Sequence, residues 1–432
     1  MHFLKALDDP VRRELLTGRL HNDECKQNLP RAYMAISKLL ARPWFRRTWI
    51  RHALAAGRKV MVQCGNITIG WNAFKRSSLR ATNIRKQLQD NGEYPSLPEI
   101  QIGTMEYLTR SWTYGKTVLG CVSIPGSFYY FHGGGLLELL LISGDFEATD
   151  PRDRVYAVLG LAREPIEGGD DEEALFPFVD EGEVFEPLRI DYNSSVSEVY
   201  QRLAKHVINR DLNLDILCLV GSLRNAGSTD LPSWTPDWRV PWDSAACGTG
   251  RSLFDYLHLK FLAASYTRAE KQDQLEIGKL HVKAYMVDEV ARLLDVTTGA
   301  LELMYENGEA IIKSNGEMPN ETEWRKLKVF WDYQEGKSSK RCCMTREGHV
   351  ALVPPATRVG DRIFVLLGAR LPFVLRAAVN DGKRYEVEGE ESNLGSDSEE
   401  MIIVGPSCLP GFMLGEVFPA VGDMEAVDLT LI

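Results

Sequence analysis

Few stretches of this chain carry residue types at spacings that could do chemistry. His132-Gly133-Gly134-Gly135 imitates the oxyanion-hole loop of some esterases, where backbone N–H groups hold a developing negative charge. That chemistry needs a serine on a Gly-x-Ser-x-Gly turn, with a histidine later in the chain. The nearest stretch, Gly405-Pro406-Ser407-Cys408-Leu409, lacks the second glycine, and no histidine follows it. A plain glycine loop is the preferred reading. Gly115-Lys116-Thr117 fails as a phosphate loop, because position 110 is Arg where glycine is needed. Eight cysteines occur without a C-x-x-C pair, which reads as reduced thiols in a cytoplasmic protein rather than as a metal site.

The paired carboxylates Asp150 and Asp153 are better explained by the helix they begin. Asp150 suits an N-cap, Pro151 a first helical position, and Asp153 lies within reach of the cap's own N–H. Arg152 sits between them. Val155 to Ala162, including Tyr156, then offers no polar stripe, so this short helix must be covered on all sides, with Gly160 as its stop. The reading is a structural cap, and Asp150 is not expected to be catalytic.

Other elements follow from periodicity. Residues 1–29 are charged and weakly periodic, with a helix expected around Val11–Leu20. A clearer helix is expected after Pro30, through Ala32, Tyr33, Ile36, Leu39 and Leu40. It leads into a strip, Arg42 to Ala55, read as a further helix begun by Pro43. Trp44, Phe45, Thr48, Trp49, His52 and Ala53 would then share one apolar face, with Arg46, Arg47 and Arg51 mostly elsewhere. Val60–Cys64 and Ile67–Ile69 around Gly65-Asn66 predict a short hairpin. Residues 75–112 read as a basic helix and a proline-interrupted loop. Residues 164–186, with ten acids and no Lys or Arg, read as an exposed loop.

Ser195-x-x-Glu198 is a capping box, and the stripe Val196, Val199, Tyr200, Leu203, Ala204, Val207, Ile208 predicts the strongest helix of the chain. His206 falls off the stripe and is expected to face solvent. Leu231 to Trp242 carries three Trp and three Pro in twelve residues. It reads as a stiff extended latch on the central helices, with Trp234 and Trp238 buried and Asp237 available to an indole N–H. From Leu275 the pattern turns to β. Strands are expected at Leu275–Ile277, Leu280–Val290, Arg341–Met344, His349–Val353, Arg362–Leu367, Phe373–Val379, Arg384–Val387 and Met401–Val404. A helical insertion ends near Trp331, Asn380-Asp381-Gly382 supplies a turn, and Glu388–Glu400 is an acidic loop.

Net charge is −10, unevenly spread: residues 1–100 hold 18 Lys/Arg against 8 Asp/Glu, a balance of +10. No signal peptide is expected, because Met1–Lys5 runs at once into the charged Asp8-Asp9. The longest aliphatic run, Leu136–Ile142, contains Glu138 and is too short to span a membrane.

Several of these stretches together resemble a known family. Arg42-Pro43-Trp44-Phe45-x-Arg47-x-Trp49, then Val62-x-Cys64-Gly65 and Ile69-x-Trp71, are similar to the end of the fungal heterokaryon incompatibility (HET) domain. The segments Thr149–Leu161, Ile190–Tyr200 and Leu231–Trp238 extend the likeness. The resemblance implies a role in non-self recognition and programmed cell death, and a domain similar to the TIR fold, some members of which cleave NAD. The family's upstream motifs have no counterpart here, so the chain reads as a member lacking the amino-terminal half of that domain. Where the family commonly carries a Glu after the second Trp, this chain has Ala53.

The expected fold is α+β in three parts. Residues 1–74 would hold the remnant of the HET domain with its hairpin, 75–272 a mainly helical middle, and 273–432 a β-rich barrel or sandwich. The expected function is a non-enzymatic signalling or interaction protein with protein partners, a full-length HET family member among them. No cofactor and no membrane are expected. One alternative is a NAD-cleaving TIR-like enzyme completed in trans, the only reading that brings in NAD. The other is nucleic-acid binding by the basic Arg42–Lys59 strip, which is not favoured because such a strip usually docks on an acidic protein surface.

Overall fold

The structure, a computed structural model, describes residues 1–10, 12, 23–57, 59–90, 136–137, 140, 143, 146–159, 188–220, 230–240, 263–264, 267–273, 276–294, 341–378, 399–409, 411–413 and 425–432. The fold is mixed α/β, with a large mixed sheet. It divides into two compact units, residues 1–168 with 242–248, and residues 169–241 with 249–432. The first expected boundary, 74/75, falls inside a helix. The last, 272/273, comes just ahead of the longest strand.

In the first unit, α1 (His2–Asp8) packs on α4 (Trp71–Asp90), with α2 (Asp23–Leu40) and α3 (Trp49–Ala56) between them in the chain. β1 (Met61–Cys64) and β2 (Ile67–Gly70) form the expected antiparallel hairpin, turning on Gly65 at φ +60°. The core joins Leu4 and Leu7 of α1 to Leu29, Tyr33, Ile36 and Leu40 of α2 and to Trp71, Phe74 and Ala81 of α4. Arg76 forks onto Asp8 at 3.1 Å through both nitrogens, and Arg80 Nη1 donates to Leu7 O at 3.0 Å, closing the end of α1. Two expectations change here. Pro30 does not start α2 but lies inside it, because burial of Leu29 extends the apolar face a turn upstream. The strip after Pro43 is not one helix. Pro43–Arg46 is a single 3₁₀ turn, Arg47 is extended (φ −74°, ψ 131°), and α3 begins only at Trp49.

The second unit is built around α6 (Val196–Asp211), which follows the short α5 (Asp153–Leu159) of the first. The capping box is formed: Glu198 N donates to Ser195 Oγ at 3.2 Å, and Ser195 N to Glu198 Oε2 at 2.7 Å. Burial runs right round the helix from Val199 to Ile208, taking in Gln201, Lys205 and His206 as well as the apolar stripe. His206 is thus 1% exposed, not solvent-facing, because burial on this helix is not confined to the apolar stripe.

The sheet comprises β3 (Leu280–Leu294), β4 (Arg341–Thr345), β5 (Val350–Val353), β6 (Arg362–Leu366), β7 (Pro372–Ala377), β8 (Glu399–Pro406) and β9 (Val427–Leu431). Pairings β3–β6, β6–β7, β7–β8, β8–β9 and β9–β3 close a five-stranded ring, a small barrel. Its one parallel pair is β8–β9. The far half of β3 leaves the ring to pair with β4, and β4 with β5. A single strand can serve both arrangements because β3 is bulged twice, between Met286 and Asp288 and between Val290 and Arg292. Glu276 and Ile277, expected in a strand, precede it, since the chain turns at Gly278 (φ +89°) before pairing begins. β9 was not expected and closes the ring. The expected helices at Val11–Leu20 and ahead of Trp331, the 164–186 loop, the Asn380–Gly382 turn, the Arg384–Val387 strand and the loop up to residue 398 lie outside the described residues. Among the described residues no helix is long and apolar enough to cross a membrane.

Candidate functional site

Three places gather chemically capable side chains. The first is the Pro43–Trp49 segment. Its break at Arg47 is held by the backbone of Glu147: Glu147 N donates to Arg46 O at 2.6 Å, and Thr48 N and Oγ1 both donate to Glu147 O at 3.1 Å. The extra extended residue resets the helical register, so the expected shared apolar face does not exist. Phe45 and Thr48 turn inward, 3% and 2% exposed, while Trp44 and Trp49 turn out, at 41% and 37%. Ala53 is also exposed, so a carboxylate at that position would not be buried. Trp44 meets Phe45 edge-on at 4.8 Å, Phe45 stacks on Phe74 at 5.9 Å, and Phe74 on Trp71 at 5.8 Å. Arg42, Arg46 and Arg47 are all exposed, with Arg46 paired to Glu147 at 3.2 Å.

Asp150 behaves as a cap. Its Oδ1 accepts the Arg152 N–H at 3.0 Å over the tight Pro151-Arg152 turn, and the carboxylate also takes the Arg152 guanidinium, Nη2 to Oδ2 at 2.8 Å. Regular helix begins only at Asp153, so Asp150 and Pro151 lie in the turn ahead of it and not at the expected N-cap and first helical positions; Val155, Tyr156, Ala157 and Val158 are buried against α3 and its surroundings. The hydrogen bond from Arg152 holds the Asp150 carboxyl below its ordinary value. Its contribution to stability is therefore present at neutral pH and is lost as pH falls through the lowered folded value. Asp150→Asn, which keeps the Oδ1 acceptor, should cost under about 1 kcal/mol, since the half-exposed ion pair it weakens is worth little. Asp150→Ala should cost about 0.5–2 kcal/mol in urea denaturation at pH 7. Loss of function in the Asn variant at unchanged stability would contradict the capping role.

The second place is the tryptophan strip. Trp234 is fully buried and its Nε1 donates to Gly278 O at 3.3 Å. Ser233 ties the strip to the sheet, donating N–H to Ile432 O at 2.9 Å and Oγ–H to the same carbonyl, while Oγ accepts from Ile403 N at 3.0 Å. The strip therefore latches on the barrel as well as on α6, where Ser197 Oγ donates to Asp230 O at 2.7 Å. Asp237 does not hold either indole. It repeats the Asp150 device: Oδ1 accepts the Arg239 N–H at 3.0 Å and the carboxylate grips the Arg239 guanidinium at 2.7 and 3.0 Å. Arg239 is shared with Asp230, both of whose oxygens lie at 2.8 Å. Trp238 Nε1, in a residue 7% exposed, has no partner among the described residues. An Asp-x-Arg spacing was the readable sign of both clamps. Beneath Trp234 lies Lys205, 1% exposed, its Nζ 5.7 Å from the ring centroid and donating to Asp273 O at 2.8 Å and Glu276 O at 2.6 Å. Burial lowers its pKa, opposed by the charges of Glu276 and Asp273.

The third place was not anticipated from the sequence. His349 Nδ1 lies 2.9 Å from Asp288 Oδ2, both residues are buried, and the Phe412 ring stands edge-on to the imidazole at 5.2 Å. Burial pushes the Asp288 carboxyl up, but hydrogen bonds from Thr345, His349 and the backbone of Glu289 and Glu347 outweigh it and hold the group below its ordinary value. An acid at an inward position of the alternating series Leu280, Val282, Ala284 was the available signal. A carboxylate-held imidazole can orient a proton acceptor, yet the Thr345 hydroxyl beside it is already bonded to the His349 backbone, accepting from its N–H at 2.9 Å. Among the described residues no group of three or more His, Cys, Asp or Glu could hold a metal. Compared with models of protein families, with curated proteins and with solved structures, the chain matches none.

Proposed function

We propose that this chain is a non-enzymatic signalling protein of the heterokaryon incompatibility kind, acting in fungal non-self recognition by docking on a full-length member of that family. The observation that carries the reading is the outward placement of Trp44, set edge-on to the buried Phe45, and of Trp49, within a segment that resembles that family. An exposed indole held on a stack of buried rings contributes contact area at little entropic cost, and Trp and Arg are the residues that dominate protein interfaces. Ala53, at an exposed position beside them, replaces the acid that the resemblance would lead one to look for. The clusters of the second unit fit structural work better: their carboxylates grip arginines, a histidine and backbone.

Purified chain is therefore expected to release no nicotinamide from NAD, as is an Ala53→Glu variant. It should co-elute with an intact family member on size exclusion. Turnover by the unmodified chain alone, abolished by changing one particular acid, would overturn the non-enzymatic reading. Failure to associate with any intact member would remove the docking role.

A further inference from the structure

We propose that the Pro43–Trp49 segment, with Arg42 and Arg47, is a docking surface for an acidic peptide segment that also carries large apolar side chains. The inference rests on the reading of the chain as an interaction protein and names the chemistry its partner must offer. Arg42, Arg47 and Lys59 are exposed and, among the described residues, have no carboxylate partner; Arg42 Nη1 reaches only the Cys64 thiol, at 4.0 Å. Arg46 differs, being held by Glu147 at 3.2 Å. In the chain, Arg42 and Arg47 thus bracket Trp44 with unneutralised positive charge, and the second half-exposed indole, Trp49, follows two residues later.

Its rigidity fits recognition. Pro43 restricts the entry into the turn, the Glu147 backbone clamps its exit, and Trp44 leans on the Phe45–Phe74–Trp71 stack. Little conformational freedom remains to be lost on binding. Carboxylates would meet the guanidinium forks and apolar side chains the indole faces. A nucleic acid fits less well. Its affinity comes from neutralising many phosphates. Among the described residues three cations here stand without a carboxylate, a fourth, Arg46, is already paired with Glu147, and the whole chain carries −10.

The test is fluorescence anisotropy on the full chain with a synthetic peptide of about 15 residues alternating Glu or Asp with Leu and Phe. The same peptide with Gln and Asn in place of the acids serves as the neutral probe. Trp44→Ala, and the pair Arg42→Glu with Arg47→Glu, should each weaken acidic-peptide binding by about tenfold or more. Met34→Ala, at another exposed apolar position of this unit, should leave it unchanged. All the substituted sites are on the surface, and unchanged melting curves would verify folding. The acidic peptide failing to bind, equal binding of the neutral peptide, or no loss in the Trp44 and arginine variants would each overturn the proposal. So would tighter binding of a single-stranded DNA of roughly 20 nucleotides with a steep salt slope. If the peptide fails while the chain still co-elutes with an intact family member, the docking chemistry is wrong and the proposed function stands. If the chain turns over NAD while peptide binding is intact, the docking chemistry stands and the non-enzymatic function is wrong.

Discussion

Trp234→Ala is expected to destabilise the second unit by about 3–5 kcal/mol, the usual range for truncating a buried aromatic side chain. The indole is fully buried, and burying a ring of roughly 150–250 Å² gives about 4–6 kcal/mol gross at 25 cal/mol per Å². Its N–H also bonds Gly278 O just ahead of β3, so the substitution frees the turn that leads into the barrel. Trp234→Phe should retain most of the burial and lose roughly 1 kcal/mol for the missing hydrogen bond. Trp44→Ala, with the ring 41% exposed, should cost far less. Guanidinium denaturation of the three variants would separate these cases. A Trp234→Ala protein as stable as the parent would mean that the strip is not a latch.

Local patterns were legible in the chain where partners lie close in sequence. The Ser195–Glu198 box and the hairpin at Gly65 depend on residues within a few positions of one another, and both form as expected. The outward turn of Trp44 and Trp49 depends instead on Glu147, about a hundred positions away, whose backbone breaks what periodicity alone continues as a helix. Closure of the barrel is nonlocal in the same sense. β9 offers only Val427–Leu431, and what makes it a strand is pairing with β3 on one side and β8 on the other. The Asp150 cap could be read because capping uses the next two residues. Its second task, gripping the Arg152 guanidinium, could have been read from the same spacing, and Asp237 with Arg239 repeats it. The Asp288–His349 contact spans 61 positions, and only the inward parity of Asp288 hinted at it.

Lys205 is the least legible of these residues and the one with the second large effect. On a helix, a lysine among alternating polar positions reads as a solvated side chain, yet here the carbonyls of Asp273 and Glu276 and the face of Trp234 replace water around its ammonium. Lys205→Ala would leave two inward carbonyls without a donor, at about 1–3 kcal/mol each, and a cavity under Trp234. A loss of about 3–5 kcal/mol is expected, as for removing one partner of a buried charged group. Lys205→Met fills the space without restoring the donor and should recover only part. The charge also sets a pH dependence. Because the folded pKa is lowered by burial, the unfolded chain holds the proton more tightly between that value and the ordinary lysine value, so stability should rise with pH across that window and be flat below it. The Met variant should lack this rise. Since Lys205 and Trp234 touch, their effects should not add: a double-mutant cycle is expected to give a coupling of about 0.5–3 kcal/mol. If Lys205→Met instead matched the parent in stability and kept the same pH profile, the ammonium would contribute nothing to the latch.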